Sequence, residues 1–93
     1  GSFHIEAEVE CLSQIVGHLP PAATVLDCGA NVGLIAIPLA RQLAASGGAL
    51  HAFEPQRFCY YMLAGNAALS GLLNLHCHRF ALGAQAGHID VPV

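Results

Sequence analysis

Ninety-three residues suffice for one small domain, and 55% of them are hydrophobic against 10% charged, with a mean hydropathy of +0.56. Small domains bury a smaller share of their surface than large ones, so a chain this apolar is expected to pack some faces against further polypeptide. A net charge of −3, with Arg41, Arg57 and Arg79 as the only cations, excludes a basic nucleic-acid-binding surface.

No uninterrupted apolar run is long enough to cross a bilayer, so no membrane partner is expected. Cys11, Cys28, Cys59 and Cys77 are scattered without a CxxC pair. They read as free thiols of a cytoplasmic protein rather than as a zinc or redox motif. Gly1–Ser2 reads as a cloning remnant, which leaves one domain over 3–93.

Apolar residues at Ile5, Val9, Leu12, Ile15, Val16 and Leu19 recur at helical spacing, and Gly17 and Pro20–Pro21 end that helix. Glu6, Glu8 and Glu10 fall near its expected N-terminus, where acids suit the macrodipole, and read as a solvated face. Ala23 to Leu26 is short and apolar throughout, as a strand covered on both faces would be. A glycine-spaced turn follows, then a helix from Leu34 to Ala45, which Pro38 should bend by removing an amide donor and crowding the Leu34 carbonyl.

Ala49 to Phe53 is a second strand, closed by Glu54–Pro55. Gln56 to Leu69 is a helix with Phe58, Met62 and Leu69 as core candidates, ended by Ser70–Gly71. Leu75 to Leu82 gives a third strand, residues 83–87 a turn, and His88 to Val93 an alternating strand cut off in mid-pattern. The expected fold is α/β. It is the N-terminal half of a doubly wound, Rossmann-like parallel sheet of strand order 3-2-1, preceded by a helix and followed by the start of a β-hairpin. The first strand would then carry an open edge, a surface for more of the same domain or for a second copy in a homo-oligomer.

Asp27, Gly29, Asn31 and Gly33 form the turn where the first strand meets the next helix. Gly29 allows close backbone approach or positive φ, Asn31 tolerates left-handed geometry and can cap the helix, and Gly33 permits close helix–strand packing. Glu54 lies 21 residues beyond Gly33 at the tip of the second strand, placed to accept hydrogen bonds from both hydroxyls of a ribose. The turn is neither GxGxxG nor a P-loop, and no Lys or Arg lies between Asp27 and Ala40 to balance phosphates. An acid beside helix amides suits a phosphate-free adenosyl ligand with a cationic end and a carboxylate, as in S-adenosylmethionine. A turn without a ligand, a nicotinamide-dependent oxidoreductase and a non-catalytic adenosyl-binding or dimerisation module are the alternatives. His76 and His78 share one strand face with Cys77 on the other, one ligand short of a metal site, so no metal is assigned. His51 and Cys28 read as packing residues.

Val25 to Gly33, His51 to Pro55 and Ala81-Leu82-Gly83 together resemble the motifs of class I S-adenosylmethionine-dependent methyltransferases, most closely the FkbM family. The resemblance covers about residues 5–93 but only the N-terminal half of a typical member. It implies that Asp27, Gly29, Asn31 and Gly33 hold the methionine moiety of S-adenosylmethionine. Glu54 would bind the ribose, Pro55 would shape the adenine edge, and the Ala81 backbone would approach the ring. It further implies methyl transfer, chiefly to oxygen, on a small-molecule or glycan acceptor. No residue is singled out as a catalytic base.

Overall fold

The computed structural model describes residues 2–81. Six elements alternate along it: α1 (Ser2–Gly17), β1 (Thr24–Cys28), α2 (Ala36–Ala44), β2 (Ala49–Phe53), α3 (Arg57–Ser70) and β3 (Leu75–His78). The strands are parallel in the order β1-β2-β3, with Asp27 opposite Ala52 and Ala52 opposite Cys77. That is the expected 3-2-1 order of a half-wound sheet. The hairpin read over 83–93 and Leu82 of the third strand lie outside the described residues.

Alternation along parallel strands sorts the sheet into two faces. Leu50, Ala52 and Leu75 are buried on one face and pack with Ala36, Leu39, Ala40 and Leu43 of α2 and Leu63 and Ala67 of α3. Leu12 and Val16 of α1 pack against the same core. Polar side chains also tie α1 to α2, because Ser13 Oγ donates to Gln42 Oε1 (2.8 Å) and Gln42 Nε2 donates back to the Ser13 carbonyl (2.9 Å). At the N-terminal rim Asn74 Nδ2 donates to the carbonyls of Ala40 (2.7 Å) and Gly48 (3.0 Å). No helix among the described residues is long and apolar enough to cross a membrane.

Five expectations need correction. β1 is covered on one face only: Thr24, Leu26 and Cys28 are exposed, because no described element lies on that side. Phe58, Met62 and Leu69 are 70%, 52% and 89% exposed, and α3 buries Leu63 and Ala67 instead. α3 carries two apolar stripes at helical spacing, and the one with the smaller side chains fits against α2 and the sheet. α2 starts at Ala36, so Pro38 sits in its first turn, where a missing amide leaves no interior bond unmade and no kink is required. α1 starts at Ser2, which moves Glu6, Glu8 and Glu10 beyond the first turn and out of strong reach of the dipole. β3 ends at His78 rather than running on to Leu82.

Candidate functional site

The C-terminal tips of the parallel strands lie level, with Cys28 opposite Phe53 and Phe53 opposite His78. Between β1 and α2 the chain reverses through three left-handed residues, Gly29 (φ +75°), Asn31 (φ +52°) and Gly33 (φ +94°). The amides of Gly29 (2.8 Å) and Ala30 (3.1 Å) both donate to the Phe53 carbonyl, which extends the β1–β2 ladder into the turn.

The glycines of this turn serve different needs. A Cβ on Gly29 would meet nothing within 4 Å, so the backbone there faces open space. A Cβ on Gly33 would lie 3.0 Å from Ile37 Cδ1 and 3.1 Å from Leu63 Cδ1. Gly33 thus allows the turn to press against side chains of α2 and α3, where close helix–strand packing was the expectation. Asn31 adopts the left-handed conformation but does not cap α2, whose N-cap is Ile35 with no side-chain bond. Its side-chain amide donates instead to the Gly29 carbonyl at 3.3 Å.

Two carboxylates meet beneath this turn. Asp27 lies on the covered face of β1, and its Oδ2 is buried with no hydrogen-bond partner. Burial, then the neighbouring Glu54 carboxylate, then Glu8 of α1 raise its pKa above the ordinary aspartate value. Glu54 is 3% exposed, yet both its oxygens are satisfied. Oε1 accepts from the Asn31 amide (2.7 Å) and Oε2 from the Gln56 amide (2.9 Å), while its own amide donates to the His78 carbonyl (2.9 Å). Asp27, Gly29, Asn31, Gly33 and Glu54 are therefore gathered in one place. Pro55 is exposed just beyond Glu54, and Ala81 is exposed three residues past the tip of β3.

Beside the turn, a groove of about 430 Å³ opens between the start of α2 and the end of α3, walled by Leu34, Ile37, Pro38 and Leu69. Neither carboxylate lines it. Asn66 Nδ2 fixes one side of it by donating to the Val32 carbonyl at 2.8 Å.

The opposite sheet face carries what residue spacing alone did not assemble. His51 joins His76 and His78 there, and its Nδ1 lies 2.9 Å from His78 Nε2 in a shared hydrogen bond. The His51 ring stacks on His76 (centroids 4.7 Å), and Phe53 stacks on His78 (4.8 Å). Burial lowers the pKa values of His51 and His78, followed by His76 and His78 for the first and by His76 for the second. Alternation reveals His76 and His78 as neighbours, but only the β2–β3 register adds His51. Among the described residues no group of three or more His, Cys, Asp or Glu side chains is arranged to hold a metal ion. Spacing places Glu8 on a solvated face, and its effect on Asp27 depends on how α1 is laid against α2.

No family model matches the chain. It is 34% identical over 80 residues to the methyltransferase sdnD of Sordaria araneosa, a match covering 82% of this chain and 29% of that protein. The fold is similar to coclaurine N-methyltransferase bound to N-methylheliamine and SAH, with a TM-score of 0.74 and 13% identity over 96% of this chain and 24% of that one. It is also similar to the SAM-dependent O-methyltransferase of Thermotoga maritima, with a TM-score of 0.72 and 15% identity over 90% and 30% of the two chains. The chain spans less than a third of each of these relatives. Its three parallel strands, its glycine turn and the helices on one side of the sheet have the Rossmann-like fold of SAM-dependent methyltransferases.

Proposed function

We propose that this chain is the donor-binding part of an S-adenosylmethionine-dependent methyltransferase. The observation that carries the reading is the buried, unpartnered Oδ2 of Asp27 beside a second carboxylate. A buried acceptor without a donor is costly, and a second negative charge nearby adds to that cost. A ligand with an ammonium group and a positively charged sulfur relieves both. The open space over Gly29 leaves room for it, and no Lys or Arg between Asp27 and Ala40 competes. Likeness to sdnD and to the two methyltransferase structures supports the same reading.

In this reading Asp27 accepts from the ammonium, and Gly29, Asn31 and Gly33 shape the backbone under the methionine moiety. Glu54 takes the ribose hydroxyls with the lone pairs its two amide partners leave free, since each carboxylate oxygen can accept more than once. Pro55 and the Ala81 backbone border the adenine. When bound, S-adenosylmethionine supplies a methyl group on a sulfonium, a leaving group that needs no further activation. The chain's task is therefore to hold the donor so that an acceptor can approach in line. Motifs like those of the FkbM family favour an oxygen acceptor on a small molecule or glycan. Four free cysteines suit a reducing cytoplasm.

Calorimetric titration of the protein with S-adenosylmethionine, S-adenosylhomocysteine and NAD tests the reading. The first two should bind, and Asp27→Asn and Glu54→Ala should each weaken them about tenfold or more, the range for losing a charge-assisted hydrogen bond. Equal affinity for NAD would overturn the ligand assignment.

A further inference from the structure

Glu54 is the most deeply buried acid described, yet no cation among the described residues pairs with it. Its charge is held by two backbone amides that come from opposite directions. Gln56 lies two residues on, so that bond is local and closes the turn into α3. Asn31 lies 23 residues back, at the centre of the glycine turn, and its bond is the shorter of the two at 2.7 Å. Asn31 is also the one non-glycine residue of that turn with positive φ. Asparagine tolerates the left-handed region better than most residues, but there it still costs more than glycine. Its side chain adds only a 3.3 Å bond to Gly29, within the turn itself. The Gly29 and Ala30 amides already bond the Phe53 carbonyl, and the Glu54 carboxylate is the contact that adds the Asn31 amide itself to this attachment at the tip of β2.

We propose that Glu54 is a positioning residue for the glycine turn, holding Asn31 in its left-handed conformation so that the methionine end and the ribose end of the donor are coupled through one carboxylate. The inference rests on the donor-site reading above and adds a consequence that reading does not require. A residue that only met the ribose would leave the grip on the amino-acid end untouched. A brace shared by both ends would not.

Two measurements on the protein carrying this chain separate these cases. In the ligand-free protein, Glu54→Gln should raise hydrogen exchange at the Asn31 amide by about tenfold or more, with α2 amides such as Leu43 unchanged. Unchanged exchange at Asn31 would overturn the brace, and this arm needs no ligand. In titrations with adenosine and with S-adenosylhomocysteine, Glu54→Gln should cost the second ligand about tenfold more than the first. An equal loss for both would confine Glu54 to the ribose and overturn the coupling. Failure of the unsubstituted protein to bind either ligand would overturn the donor-site reading, while the exchange arm still judges the brace. If glutamine disrupts folding, Glu54→Asp keeps the charge but shortens the reach, and should release Asn31 in the same way.

Discussion

The two faces of the sheet solve different problems with the same strands. On the covered face Leu50, Ala52 and Leu75 are sealed by α2 and α3, and Asp27 on the same face is left with an oxygen that nothing satisfies. On the other face Leu26 is 52% exposed, and the imidazoles group together through the His51–His78 bond and the stack of His51 on His76. Even Phe53, which points to that side, is only 2% exposed, shielded by its stack with His78 and its contact with Phe80. The unmet group on the sealed side is the one that the proposed donor would answer.

The sharpest break between the faces should come from paired truncations. Leu50→Ala should cost about 2–5 kcal/mol of stability, as for a fully buried leucine. Leu26→Ala, one residue from the opposite position in register, should cost well under about 1 kcal/mol in the same urea titration, within the range of surface changes. Comparable losses would mean that Leu26 is covered in solution.

Asp27→Asn comes next. Because burial and its acidic neighbours raise the folded-state pKa, the native form binds a proton more readily than the unfolded one. Stability then falls as pH rises from the ordinary aspartate value of 3.8 towards the raised one, and the cost persists at neutral pH. The amide should therefore raise the Tm of the ligand-free protein slightly, since solvent screens a side chain that is only half-buried, while weakening donor binding. A lower Tm for the variant would contradict an unmet carboxylate.

The histidines should respond in the opposite sense. Their lowered folded-state pKa values mean that the unfolded chain gains protons first as pH falls below 6.5. Their contribution is full above that value and is lost as pH drops towards the folded-state values. Melting scans from pH 7.5 to 5.5 should show a decline that His51→Gln reduces. This is the smallest of the effects, because both rings are partly open to solvent. A decline unchanged in the variant would assign it elsewhere.

Element order, parallel pairing and the glycine turn were legible because each rests on local chemistry: a short apolar run, positive-φ residues, an acid before proline. The site followed from the fold, since level strand tips bring Asp27 and Glu54 together once the strands are paired. What was not legible depended on choices between equivalent patterns. Phe58, Met62 and Leu69 make as good a helical stripe as Leu63 and Ala67, and only the space beside α2 decides between them. β1 reads as apolar throughout, yet an apolar side chain does not state whether a neighbour covers it. The Glu54–Asn31 bond escaped notice because a buried acid with a backbone partner has the same sequence signature as one reserved for a ligand.

Asn74 ties down the N-terminal rim of the sheet. Its single amide group fastens α2 to the loop ahead of β2 at the rim remote from the acids, and Gly48 in that loop has no room for a side chain, since a Cβ would fall 2.7 Å from the Ala23 carbonyl. A side chain added at Gly48 would therefore push the loop ahead of β2 away from the Ala23 carbonyl, at the rim remote from the acids.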